Sequence, residues 1–126
     1  MRKMRQTDTL VGRRTAAIVQ AQPLMVPFLT DVLRCSGHSQ VLTYRCASAK
    51  RLRRAKPDVV IMDTEAANAA PLALIRRIKL NARTRIVVIA GRDDPAWNAL
   101  ARALGADAIL GPSANRQDLF TAVRGA

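Results

Sequence analysis

Apolar positions along this chain alternate between two spacings. Thr15 to Val19, Val59 to Met62 and Ile86 to Ala90 are short runs almost free of polar residues. A strand covered on both faces of a parallel sheet looks like this. Between the runs lie stretches with apolar residues three and four apart, the helical period. The first opens at Gln22-Pro23, carries Leu24, Met25, Phe28, Leu29, Val32 and Leu33 on one face, and stops at Ser36-Gly37. Proline is tolerated in a first helical turn because its missing N–H is one the helix cannot pair anyway. Val41 to Tyr44 reads as a weaker strand, and a short basic helix over Ala47 to Lys56 ends at Pro57. Leu72 to Leu80 is a third helix. Asp94 caps a fourth, with Pro95 in its first turn, Trp97, Leu100, Ala101 and Leu104 facing inward, and Gly105 as its stop. Ala108 to Leu110 is a fifth short strand, and Asn115 with Asp118 three residues on opens a fifth helix as a capping box.

Five strands alternating with five helices cannot be joined as hairpins, because each connection is of crossover length. The pattern therefore predicts an α/β fold, (βα)5, in which a doubly wound five-stranded parallel sheet is covered on both sides. In such sheets ligands collect at the carboxyl ends of the strands, here residues 20–22, 63–68, 90–94 and 111–113. With 126 residues the chain has room for one core. Residues 1–13 are polar and basic without a sustained period and read as a flexible tail, leaving residues 14–126 as the domain.

Composition adds two constraints. Only Phe28, Tyr44, Trp97 and Phe120 are aromatic while alanine occurs 22 times, so the core is aliphatic and few rings are available to stack on bases. The formal net charge is +12, and residues 1–85 hold 17 of the 21 basic side chains. Anionic partners become plausible from that asymmetry. Cys35 and Cys46 fit neither a disulfide framework nor a zinc spacing, and His38 is the sole histidine. All three read as structural residues of a reduced, cytoplasmic protein. The charged opening resembles an export leader, but Gln20, Gln22 and Asp31 interrupt the apolar run behind it. No apolar stretch approaches the ~20 residues that span a bilayer.

Four segments, IVQAQPLM (18–25), PDVVIMD (57–63), RIVVIAGRDD (85–94) and ALGADAILGPSANRQDL (103–119), resemble in order and spacing the landmark segments of response-regulator receiver (CheY-like) domains. The similarity covers about residues 15–124. It implies a flavodoxin-like sheet, a bacterial two-component setting, and phosphoryl transfer to an aspartate. That chemistry needs a carboxylate nucleophile, a hard cation on oxygen ligands and a fixed positive charge on the phosphoryl oxygens. Asp63 matches the acceptor. The positions of the magnesium-binding acidic pair hold Gln20 and Ala21, that of the switch hydroxyl Ala90, and that of the lysine Pro112. The Met-Pro usual after the acceptor is replaced by Ala66-Ala67. Losing one preorganised electrostatic group costs roughly 3 kcal/mol in a transition state, and three are missing here. The expectation is a pseudo-receiver with a vestigial Asp63, no metal, no cofactor and no catalytic residue. Asp63 with Glu65 lacks the third ordered ligand a specific cation site needs.

Two further surfaces stand out. RLRRAK (51–56) on the second helix and RRIK (76–79) on the third make Arg51, Arg53, Arg54, Arg76, Arg77 and Lys79 candidate anion ligands. Receiver-like proteins that bind cyclic di-GMP through arginine-rich segments add Arg2, Arg5, Arg13 and Arg14 as further candidates. Nucleic acid is the other candidate anion, although no aromatic residue lies within these runs. Trp97 opens the fourth helix, on the helix4–strand5–helix5 side that receivers use to meet partners. The functional expectation is thus a non-enzymatic, phosphorylation-independent module that binds a protein or a second copy of itself. The alternatives are a basic-surface binder of cyclic di-GMP or nucleic acid, and the amino-terminal receiver of a longer helix-turn-helix regulator.

Overall fold

The computed structural model describes residues 14–19, 22–45, 48–63, 71–80, 83–91 and 93–125. Its strands are β1 (Arg14–Val19), β2 (His38–Tyr44), β3 (Val59–Asp63), β4 (Arg85–Ile89) and β5 (Ala108–Leu110). They alternate with α1 (Val26–Cys35), α2 (Ala49–Ala55), α3 (Pro71–Lys79), α4 (Pro95–Leu104) and α5 (Arg116–Arg124). The strands form one sheet in the order β2-β1-β3-β4-β5, with every pairing parallel.

The two-residue alternation of a strand sorts the apolar runs onto two faces. Ala16, Ile18, Val59, Ile61 and Val87 meet Leu29, Val32 and Leu33 of α1 and Leu119, Ala122 and Val123 of α5. Ala17, Val19, Val60, Met62, Ile86 and Val88 meet Leu52 of α2, Ile75 and Ile78 of α3, and Ala101 of α4. Two helices thus cover one face and three the other. The central strands need continuous apolar sequence because both of their faces are buried.

Helix ends follow the expected chemistry. Ser48 accepts from the Arg51 N–H at the start of α2 (3.2 Å), Asp94 from the Trp97 N–H at the start of α4 (3.1 Å), and Asn115 and Asp118 bond reciprocally in a capping box. Gly105 closes α4 at φ +130°, where a Cβ would sit 2.5 Å from the Lys79 Cγ. Only glycine fits there without displacing Lys79.

Three details depart from the periodicity. Pro23–Met25 forms a 3₁₀ turn before α1, since Pro27 has no N–H to continue an α ladder backwards. The different turn swings Leu24 outward to 91% exposure and leaves Phe28 at the surface. Leu100, expected inside, is half exposed, whereas Ala101 faces the core as expected. β2 begins at His38, three residues before the expected Val41; at the sheet edge it tolerates the polar Ser39 and Gln40, which obscure its period.

Candidate functional site

The strand order brings the carboxyl ends of β1, β3 and β4 side by side. Asp63 closes β3, buried at 5% exposure and in register with Ile89 of β4. Ala90 follows β4, also buried, and its N–H donates to the Leu110 carbonyl (2.8 Å). That bond ties the end of β4 to β5 through backbone alone, and the methyl beside it offers no hydroxyl. Pro112 lies exposed just past β5 and carries no ammonium. Ile109 on β5 packs, partly buried, against the face shared with α2, α3 and α4. Gln20, Ala21, Glu65, Ala66 and Ala67 lie outside the described residues, so the acidic-pair positions are known by residue type alone. A magnesium ion, which this fold family implies, does not fit that donor set. Gln20 and Ala21 supply no carboxylate, and no three His, Cys, Asp or Glu side chains cluster among the described residues.

The basic helices are neighbours: the Arg53 guanidinium of α2 donates to the Arg77 carbonyl of α3 (3.4 Å). Arg51, Arg53, Arg54, Arg76 and Arg77 are all exposed, and among the described residues none pairs with a carboxylate. The Arg51 guanidinium lies over the Tyr44 ring of β2, 5.3 Å from its centroid, a cation–π contact. Lys79 differs from the other five. Its ammonium bonds Asp107 Oδ2 (2.8 Å) and the Thr84 carbonyl (3.0 Å). It therefore faces the α3–β4 turn with its charge already met. Arg14 begins β1 at the opposite end of the sheet, while Arg2, Arg5 and Arg13 lie outside the described residues.

Trp97 is half buried in the first turn of α4 and packs on the core beneath α2, α3 and α4. Leu100, one turn further along α4, is fractionally more exposed than the tryptophan. Sequence periodicity missed it because a leucine three residues after an apolar residue looks like core.

Of two polar groups of structural weight, Asp107 went unnoticed and His38 was read only as structural. Asp107 Oδ2 accepts from both Lys79 and the Ile86 N–H (2.7 Å), fastening the α4–β5 turn to β4. His38 is 2% exposed; its Nδ1–H donates to the Leu33 carbonyl (3.2 Å), while Nε2 is buried with no partner among the described residues. Burial, reinforced by the Arg14 charge, pushes the His38 pKa below its ordinary value, outweighing the Leu33 bond and Asp58, which act the other way. Cys35 is exposed, with its sulfur contacted by Arg116 (3.5 Å); Cys46 lies outside the described residues.

No family model matches the sequence, and no curated protein sequence matches it. Solved structures do match. The signal receiver domain of NarL from Mycobacterium tuberculosis superposes with a TM-score of 0.73 at 21% identity, over 87% of this chain and 92% of that one. A DNA-binding response regulator of the LuxR family from Staphylococcus aureus gives 0.71 at 16% identity, over 87% and 95%. A response regulator from Burkholderia pseudomallei, solved with a phosphorylated aspartic acid, a calcium ion and citrate, gives 0.70 at 22%, over 87% and 66%. The architecture of this chain, with its strand order and the placement of Asp63 at the end of β3, is the response-regulator receiver fold.

Proposed function

We propose that this chain is a pseudo-receiver: a non-enzymatic, phosphorylation-independent module that signals by binding a protein partner through its α4–β5–α5 face. The observation that carries this reading is the combination at one strand end of a buried Asp63 with Ala90 and Pro112. A phosphoryl group there would meet neither a hydroxyl nor a fixed cation from those positions, and an aspartyl phosphate without them has no switch to throw. On the proposed face, the half-buried Trp97 and the half-exposed Leu100 supply apolar anchor surface. Incubation with acetyl phosphate, or with beryllofluoride, in the presence of Mg²⁺ tests the reading by mass spectrometry and amide chemical shifts. No Asp63 adduct and no shifted spectrum are expected; a stoichiometric adduct with a changed spectrum overturns it.

The neighbouring guanidiniums of α2 and α3 favour a second reading, in which this basic face binds cyclic di-GMP or nucleic acid. Five arginines on two packed helices, none with a carboxylate partner among the described residues, form a field that guanidinium–phosphate contacts can exploit. Titration with cyclic di-GMP and with a short DNA duplex at two salt concentrations separates the two ligands. Backbone-phosphate binding falls steeply as salt rises, whereas a specific dinucleotide pocket resists it.

A further inference from the structure

The last turns of α2 and α3 lie side by side and carry a row of basic residues. One carbonyl oxygen, that of Arg77, accepts from both the Arg53 guanidinium (3.4 Å) and the Leu80 N–H (3.3 Å). Thr84 Oγ1 donates to the Pro57 carbonyl (3.0 Å), which joins the turn after α2 to the turn after α3. Arg53, Arg54, Lys56, Arg76 and Arg77 are exposed here, and among the described residues none pairs with a carboxylate. The sequence holds no acidic residue between Asp31 and Asp58, nor between Glu65 and Asp93. Asp58 Oδ2 accepts from the Thr15 N–H (2.9 Å), and Asp107 is taken by Lys79. The two helix C-termini bring roughly half a negative charge each, which leaves most of the positive charge of five basic side chains standing.

Two further features belong to the same lip. Leu80 stands 76% exposed, an apolar side chain projecting among cations. Lys56 holds φ +52°, the one non-glycine residue at positive φ among the described residues, where glycine is the usual helix stop. A lysine there gives up the backbone ease of glycine and gains a charge. Anionic partners use these features unequally. A nucleic acid engages the charges but has nothing for a projecting leucine, and the Tyr44 ring, which could stack on a base, lies under Arg51. A protein needs a pocket of its own shaped to that leucine. A bilayer needs no matched shape: basic side chains meet its anionic headgroups, and a leucine enters at the acyl boundary. No helix among the described residues is long and apolar enough to cross a membrane, so such contact is peripheral. We infer that this end of α2 and α3 docks on an anionic phospholipid surface, with the arginines and Lys56 at the headgroups and Leu80 inserted among the first acyl carbons. The inference is independent of partner binding through α4–β5–α5.

Co-sedimentation of the full chain with vesicles tests this, using phosphatidylcholine alone and an equal mixture of phosphatidylcholine and phosphatidylserine. Partitioning is expected to be at least about tenfold stronger on the mixed vesicles and to fall as salt rises. Arg54→Gln with Arg76→Gln should weaken it about tenfold or more. Lys56→Gly removes a charge at a backbone position that suits glycine, and should weaken partitioning about fivefold at undiminished thermal stability. Leu80→Ser should weaken it about fivefold while leaving every charge in place. Leu80→Trp should show blue-shifted emission on the mixed vesicles relative to wild type, the sign of a ring leaving water. Equal partitioning on the two kinds of vesicle, or undiminished partitioning in Leu80→Ser, overturns the inference. So does binding of a short DNA duplex without retention on the mixed vesicles, which assigns the face to nucleic acid.

Discussion

The two poles of the sheet carry opposite chemistry. At the carboxyl pole, where this fold places ligands, Ala90 and Pro112 follow β4 and β5 at the positions that the resemblance assigns to phosphoryl chemistry. At the amino pole, polar side chains hold the strands together: Asp58 accepts from the Thr15 N–H (2.9 Å), Thr84 donates to the Pro57 carbonyl (3.0 Å), and Asp107 accepts from Lys79 and Ile86. A receiver's amino pole has only to close turns, so its polar residues answer to stability. Its carboxyl pole answers to phosphoryl chemistry, and residues there can change without loss of the fold. Finding alanine and proline at one pole and turn-closing hydrogen bonds at the other is what a domain kept for its shape would show.

The largest effect that tests this contrast is expected at Asp107. Asp107→Ala leaves the Ile86 N–H without its acceptor and removes the Lys79 ion pair, the ammonium keeping only the Thr84 carbonyl, and should lower unfolding stability by about 2 kcal/mol. Asp107→Asn keeps an acceptor for Ile86 while losing the charge, and should cost about half as much. Urea denaturation with an unchanged m-value checks both. A loss below about 0.5 kcal/mol in Asp107→Ala would show that the amino pole is no more constrained than the other.

A smaller, pH-dependent effect is expected from His38. Its folded pKa is depressed, chiefly by burial. On lowering the pH, the unfolded chain takes up a proton near the ordinary histidine value of about 6.5, before the folded chain does. Stability is therefore whole above that value and declines as pH falls from it toward the folded pKa, by at most about 1.4 kcal/mol per pH unit. In His38→Leu the decline between pH 6.5 and 5.5 should flatten. An identical slope in the two proteins would place the titrating group elsewhere.

How much of this was legible in the sequence depends on whether a residue's partner is near it in the chain. Val59 to Met62 and Ile86 to Val88 announced buried strands because both of their neighbours in space are apolar layers, whatever their identity. Asp94 with Trp97, and Asn115 with Asp118, were readable because a cap and its donor are three residues apart. Asp107 and Lys79 are 28 residues apart, and Lys79 read as a candidate anion ligand until the fold joined it to Asp107. His38 looked like an isolated histidine at a turn; its burial follows from β2 starting there and from α1 ending over it. Leu24 was misjudged because the 3₁₀ turn before Pro27 breaks the helical period that placed it inside. The strand ends that carry Asp63, Ala90 and Pro112 were legible, since a strand end is set by the strand itself.

The smallest effect is expected at Asp63, and its smallness is the point. In a switching receiver the phosphoryl group draws a hydroxyl after β4 inward and an aromatic on β5 follows. The resemblance assigns those positions to Ala90 and Ile109, and on the proposed pseudo-receiver reading neither side chain makes a contact that differs between a phosphorylated and an unphosphorylated state. A ligand shifts a conformational equilibrium only through such differential contacts. One conformation should therefore serve wild type, Asp63→Asn and Asp63→Glu alike, and a captured protein partner should bind all three within a factor of two or so. Because Asp63 is buried, the variants are to be compared for thermal stability first, so that unfolding is not read as lost affinity. Should Asp63→Glu change partner affinity by more than about tenfold, near 1.4 kcal/mol, at unchanged thermal stability, the carboxyl pole retains a working switch and the contrast between the two poles collapses.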